Sequence, residues 1–349
     1  MVVLKHFYPI ATLALLLALP IEAQEQREPL VFYTWEDFID PSLIEAWEEQ
    51  SGIPVKVIFY DDEGLRNLVL SRSDQAAKID VAIVDNATMH VLQEAGHLSE
   101  IPSARYEQFW PDACTGFGRP YLWGIYGLVY RQDKMQSNIS SWRDILNPKS
   151  YLKGHIGMLG QADELMTTAL AGMGYPIDST DEMYLRQAFS LIKLQSEYVK
   201  TYDYIHSFIL SDPENNDLWL APAYSGDQYG LNDIQGIDTW QFVVPEEGAI
   251  VWVDCLTIPA SSIRKDEALA FIDFITRLDN SAQNSEYLWT ASPYKEVTSL
   301  VSAELREDQT IYLDKDSLAK AIPFKGMKGT DILQRTRIKD ALLRYYDSH

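Results

Sequence analysis

Short apolar runs separated by amphipathic stretches organise the first third of this chain. Leu30–Tyr33 is an unbroken apolar run, the pattern of a strand buried on both faces. Asp40 then offers an N-cap with Pro41 at the first helical position, and Leu43, Ile44 and Trp47 share one side of a helix that runs to Gly52. Val55–Tyr60 mixes β-branched and aromatic residues as a second strand, with a helix from Glu63 to near Arg72 behind it. Asp80–Val84 is a third strand, followed by a helix from Asn86 to near Gly96. Strand, helix, strand, helix, strand predicts βαβ units and a mostly parallel sheet.

The pattern restarts beyond Tyr121. Ile156–Leu159 reads as a strand, and the helix from Glu164 ends by Gly174, with Gly172 already weakening its last turn. A helix covers Thr180–Tyr198, and Leu218–Tyr224 and Trp240–Val244 are further strands. Ile250–Ile258 is the most apolar strand of the second half, and an amphipathic helix, Lys265–Arg277, follows it. A last helix, Asp331–Tyr346, carries Ile332, Leu333, Ile338, Leu342 and Leu343. No repeat or low-complexity linker separates the two series, so the chain is expected to cross between two α/β lobes more than once. The 349 residues suffice for two cores.

What precedes Leu30 follows different rules. Lys5 and His6 lead into the apolar run Ile10–Leu19, and Pro20, Ile21, Glu22 and Ala23 follow. Basic, apolar and small-residue regions in that order predict an export signal over residues 1–23, cut near Ala23. The run is too short to span a bilayer comfortably, and no cysteine stands at the cut to take a lipid. The expected location is the periplasm.

The chain has 29 basic and 51 acidic residues, a net charge of −22. Losing the signal removes one residue of each sign, Lys5 and Glu22, and leaves that charge unchanged. Such a field serves solubility, repels nucleic acid and anionic lipid, and draws cations toward any cleft. Cys114 and Cys255 are too few for a disulfide scaffold or a cysteine zinc site. Export would permit a bridge between them, and the sequence leaves the pairing open.

There is no HExxH, GxSxG, P-loop or GxGxxG motif, and the six histidines lack metal-ligand spacing. The chain therefore reads as a binding protein without catalytic residue, cofactor or metal. What stands out is aromatic residues beside carboxylates where strands end. Tyr33-Thr34-Trp35-Glu36-Asp37-Phe38 is the first such place and Tyr224-Ser225-Gly226-Asp227 the second. In the third, Trp252-Val253-Asp254, the ring and the acid point the same way on a strand. Ligands of open α/β sheets sit outside the carboxyl ends of strands, where these groups lie.

The residue types suit an alkylammonium ligand. A ring face attracts a cation by about 0.5–2 kcal/mol. A carboxylate hydrogen-bonded to it contributes about 1.5–3 kcal/mol. Trp35 and Trp252 would serve equally as core residues. Asp254 is harder to explain that way: it lies between apolar runs with no basic residue nearby in sequence, a costly place for an acid without a partner.

At this point the chain resembles the periplasmic spermidine/putrescine-binding proteins of bacterial ABC transporters, over nearly all of its length after the signal. Tyr33-Thr34-Trp35 with Phe38 is similar to the family's "Y-N-W-x-x-Y", and Ser51-Gly52-Ile53-Pro54-Val55 to its "T-G-I-K-V". Asp80-Val81-Ala82-Ile83-Val84 resembles "D-L-V-V-P", Pro120-Tyr121-Leu122-Trp123-Gly124 resembles "P-Y-x-W-G", and Ser141-Trp142-Arg143-Asp144 resembles "S-W-x-D-L". The most specific match runs from Pro245-Glu246-Glu247-Gly248 to Trp252-Val253-Asp254, close to "P-x-E-G-x-x-x-W-x-D".

The resemblance implies a two-lobed periplasmic binding protein fold, each lobe a mostly parallel sheet flanked by helices, with ligand in the cleft and hinge closure. It implies an N-terminal lobe of residues 27–128 plus 255–296 and a C-terminal lobe of residues 129–254 plus 297–346. Trp35, Trp252 and Asp254 fall on family binding positions unchanged, and Glu164 falls on a family acidic position. Elsewhere the chain departs. Phe38 lacks the family's tyrosine hydroxyl, Asp85 and Ala87 replace a serine and a tyrosine, and Gln161 replaces an acid. Tyr224 stands for a tryptophan, with Asp227 after it, and Trp289 or Thr290 lies near another family aromatic. The implied ligand is a polyamine such as spermidine, putrescine or norspermidine, held by a monomer that delivers it to an ABC transporter permease. The alternative is a sensor reporting polyamine to a membrane signalling protein.

Overall fold

The first helix shows how local chemistry sets the elements. Asp40 accepts a hydrogen bond from the Ser42 amide at 2.9 Å, Pro41 begins the helix Pro41–Ser51, and Gly52 ends it at φ 65°. That left-handed backbone is open to glycine at no steric cost. Leu43 and Trp47 turn inward, against Phe271 and Phe274.

This computed structural model describes residues 27–36, 38–323 and 328–348, so the expected export signal lies outside the described residues. Ten strands form one curled sheet: β1 Leu30–Trp35, β2 Val55–Tyr60, β3 Val81–Asp85, β4 Gly118–Arg131, β5 Ile156–Gly157, β6 Val199–Thr201, β7 Leu220–Tyr224, β8 Trp240–Val243, β9 Ile250–Thr257 and β10 Ile322–Pro323. Their order is β2-β1-β3-β9-β4-β7-β5-β6, with β10 beside β9 and β8 beside β4. The outer groups are parallel, β1 with β2 and β3, and β5 with β6 and β7. The spine is antiparallel: β4 pairs β9 from Gly118↔Thr257 to Tyr126↔Ile250. The reason is the route of the chain: β4 carries it along β9 toward β7, and β9 brings it back beside β3, so the two run oppositely. From Tyr126 to Tyr130, β4 also pairs β7.

The hydrophobic pattern passes over the short β6 and β10 and also the longest strand, β4, which Pro120, Gly124 and Gly127 interrupt. Each has a tertiary reason. A Cβ on Gly124 would stand 2.5 Å from the Trp252 ring, and one on Gly127 would stand 2.7 Å from the Phe242 ring. Pro120 sits at the register shift between β4 and β9, where a missing amide costs no ladder bond. The last helix, Gly329–Asp347, also departs from expectation. Leu342 is buried, but Leu333 is 59% exposed and Arg335 takes the inward place, donating to the Ile177 carbonyl at 2.6 Å. The helix touches the second lobe along a narrow stripe, too narrow for all five apolar residues.

Three packed regions hold the sheet. On one face Phe32, Val81 and Ile83 meet Phe271 and Ile272; on the other, Tyr33, Ala82 and Val84 join Trp123, Val251 and Val253. The second lobe packs Trp142, Leu165, Met166, Ile192 and Leu220 together. Cys114 and Cys255 are joined by a disulfide that closes a sequence separation of 141 residues. Among the described residues no helix is long and apolar enough to cross a membrane.

Candidate functional site

β3 and β9 bring two acids face to face: Asp85, the last residue of β3, is the cross-strand partner of Asp254. Like charges opposite one another on a ladder repel. The structure answers with Arg66, on the helix Glu63–Leu70 that follows β2. Its side chain is 1% exposed, with Nη2 3.0 Å from Asp85 Oδ2 and 3.2 Å from Thr88 Oγ1. Nη1 lies 3.5 Å from both Glu63 Oε1 and the Tyr60 hydroxyl, and the guanidinium stands 5.3 Å from the centre of the Tyr60 ring. Tyr60 in turn lies 4.5 Å from the ring of Trp35. Asp85 has a second duty, accepting the Thr88 amide at 2.7 Å as the cap of the helix Asn86–Glu94.

Asp254 is only 8% exposed. Burial, with a smaller push from the Asp85 charge, raises its carboxyl to about 8; Arg66 offsets part of this and Glu63 adds to it. No hydrogen bond contributes. Two residues before it, Trp252 lies over Gly124, near-perpendicular to Tyr224 at 6.1 Å, and its indole N–H has no partner. Tyr224 donates its hydroxyl to Glu164 Oε1 at 3.1 Å, while Glu164 Oε2 is buried without a partner. Burial raises Glu164, and the charges of Glu63 and Asp163 raise it further. Glu63 is raised by burial too, against the pull of Arg66. The charge of Glu63, on the helix Glu63–Leu70, thus reaches Glu164 on the helix Ala162–Gly172. Asp163 is raised by burial to about 6, opposed by Arg335 at 3.9 Å.

The remaining expected positions have other roles or none visible. Asp227 accepts the Tyr204 hydroxyl at 2.5 Å and the Tyr224 amide at 2.8 Å, so it holds Tyr224 in place. Phe38 packs against the same apolar cluster as Trp252, its ring 6.1 Å from Tyr121. Gln161 precedes the helix Ala162–Gly172 without capping it. Trp289, at φ 51°, meets the ring of Tyr229 at 5.9 Å. No hydrogen bond or ring contact joins Phe38, Gln161 or Trp289 to the carboxylates among the described residues. Tyr60, Glu63, Arg66, Asp163 and Arg335 were not legible as site residues. The signal available for the first three was position alone, at and just after the carboxyl end of a strand.

The assembled group holds five acids, Glu63, Asp85, Asp163, Glu164 and Asp254, against two guanidiniums, Arg66 and Arg335, an excess of three acids that burial and mutual repulsion hold partly protonated. A cation with several centres and an apolar body between them is its natural complement. Among the described residues no three His, Cys, Asp or Glu side chains group to hold a metal ion.

A pH dependence follows. An aspartate free in the unfolded chain titrates near about 3.9, and in the fold Asp254 titrates at about 8. Between these values the native state carries a proton the unfolded state lacks, so stability falls as pH rises through that window. The expected slope is at most about 1.4 kcal/mol per pH unit from this group. Melting curves of the ligand-free protein from pH 5 to 8.5 check it, and Asp254→Asn should flatten the slope; an equal slope in the variant would exclude Asp254 as its source.

The profile of the bacterial extracellular solute-binding proteins matches residues 42–311. This chain belongs to that family. Among curated relatives, the norspermidine sensor of Vibrio cholerae serotype O1 is 32% identical over 322 residues, covering 90% of this chain and 89% of that protein. The spermidine/putrescine-binding periplasmic protein of Escherichia coli is 24% identical, covering 87% of this chain and 89% of the relative. Among solved structures, the spermidine/putrescine ABC transporter substrate-binding protein of Streptococcus pneumoniae matches with a TM-score of 0.75 and 22% identity, covering 91% of this chain and 99% of that one. That likeness establishes the two-lobed α/β fold.

Proposed function

We propose that this solute-binding protein captures a polyamine between its lobes in the periplasm, after removal of residues 1–23. The observation that carries the reading is Asp254, an acid 8% exposed, raised by burial and by Asp85, and flanked by the indole of Trp252. A buried carboxylate in that condition is relieved by an ammonium that brings its own counter-charge. In this reading Asp254 and Glu164 each hold an amine, Trp35 and Trp252 are the cation-attracting walls, and Tyr224 aligns Glu164. Phe38, Gln161 and Trp289 line the cleft, Asp85 tunes its charge, and Asp227 supports Tyr224. The lobes close about the paired strands β4 and β9.

A bound polyamine is passed to the permease of an ABC importer. A second reading, a sensor that docks on a membrane signalling protein, is favoured by the higher identity to the norspermidine sensor, 32% against 24% for the spermidine/putrescine-binding relative. Both readings share one test of ligand. A thermal-shift series on the mature chain uses putrescine, cadaverine, norspermidine, spermidine and spermine, with neutral and acidic amino acids as controls. Stabilisation that grows with the concentration of one amine is expected, about 2.7 kcal/mol at a hundredfold excess over Kd. No shift with any amine would end the polyamine reading. Uptake of labelled ligand in a strain lacking the gene then separates import from sensing.

A further inference from the structure

Arg66 is a buried cation among the carboxylates to which the polyamine reading gives the ligand. Its guanidinium meets one carboxylate at 3.0 Å, a second at 3.5 Å, and the face of an aromatic ring at 5.3 Å, with 1% of the side chain exposed. Carboxylate, carboxylate and ring are the three contacts an alkylammonium would seek. They also lie beside Trp35, through Tyr60. We infer that Arg66 is a resident cation of the cleft: it fills one ammonium place itself and so sets how many amines a ligand can bring. The inference rests on the polyamine reading and names the residue that determines specificity within it.

The oxygens themselves divide in this way. Asp85 gives Oδ2 to Arg66 and Oδ1 to the Thr88 amide. Glu63 faces Arg66 at 3.5 Å. Among the described residues the acids left for ligand are Asp254, whose carboxylate has no hydrogen bond, Glu164, with one oxygen unpartnered, and Asp163, whose Oδ1 has only Arg335 at 3.9 Å. A guanidinium cannot shed its proton to make room, and pulling it from two carboxylates into solvent would leave both of them uncompensated. Arg66 therefore stays when ligand enters, and the ligand's charge is limited to what the other acids can balance.

Calorimetric titration of the full mature chain with putrescine, norspermidine and spermine tests this in two variants. Arg66→Met frees the Asp85 and Glu63 carboxylates, and the ratio of spermine to norspermidine affinity should rise about tenfold. Arg66→Met combined with Asp85→Asn exchanges the closer ion pair for a neutral pair and keeps the net charge of the group, with Glu63 its remaining acid, a change folds commonly tolerate. Its ratio of spermine to norspermidine affinity should return to within about threefold of the parent's, because removing Asp85 with Arg66 restores the parent's net charge there. If the single variant does not fold, the double variant still decides. An affinity ratio shifted about tenfold or more from the parent's in the double variant would overturn the inference, since the charge balance between Arg66 and Asp85 would then not be what sets it. An unchanged affinity ratio in Arg66→Met would overturn it as well. Failure of the parent protein to bind any of the amines would instead overturn the polyamine reading beneath it.

Discussion

Asp254→Asn is expected to weaken polyamine binding about ten- to a hundredfold while leaving the ligand-free protein at least as stable. The substitution keeps the shape of the side chain and removes its charge. In the ligand-free state that charge is unwelcome: burial and the facing Asp85 already raise the carboxyl to about 8. A neutral amide in the same place relieves both costs. In the bound state the charge is what an ammonium needs, and a charge-assisted hydrogen bond contributes about 1.5–3 kcal/mol. The two effects have opposite signs, so melting curves and titrations together distinguish a lost contact from a damaged fold. Affinity within threefold of the parent would remove Asp254 from the site.

Breaking the Cys114–Cys255 bridge should cost stability on the order of 3–5 kcal/mol, the largest single effect expected in this molecule. The bridge closes a loop of 141 residues, and the chain entropy withheld from the unfolded state grows with loop length. Cys255 is fully buried, and Cys114 is 1% exposed with its amide donating to Asn86 Oδ1 at 2.8 Å. The bridge fastens the segment after the helix Asn86–Glu94 to β9 at the residue following Asp254. Replacing both cysteines by alanine, or adding reductant, should therefore lower Tm by about 5 °C or more. It should also weaken ligand binding less than Asp254→Asn does, because the acid itself remains. An unchanged Tm would show that the packing around Cys255 holds β9 without help.

The family motifs prove to be of two kinds once packing is known. Ser141 and Asp144 form a capping box, with the Ser141 amide donating to Asp144 at 3.0 Å. Glu247, the acid of the Pro-x-Glu-Gly turn, reaches back to the same helix start, accepting the Ser141 hydroxyl at 2.5 Å and the Trp142 amide at 3.2 Å. Trp123 is fully buried and donates to the Ser292 carbonyl. These residues maintain the architecture, whereas Trp252 and Asp254, a few positions along the last motif, are the pair to which the proposed function gives the ligand.

Sequence alone determined the alternation of strands and helices, the place of most elements, and the aromatic–carboxylate clusters at strand ends, because those depend on local periodicity and caps. It also marked Asp254 as an acid in want of a partner, since no base stands near it along the chain. Only the tertiary structure decided what surrounds that acid. Asp85 comes to it across a ladder, Arg66 from a helix behind β2, and Glu164 with Tyr224 from the other lobe, all through separations in sequence that no periodicity records. The same holds for β4, whose glycines look like breaks until the rings of Trp252 and Phe242 are seen resting on them. Charge balance in a cleft is a sum over neighbours in space, and the chain order does not contain that sum.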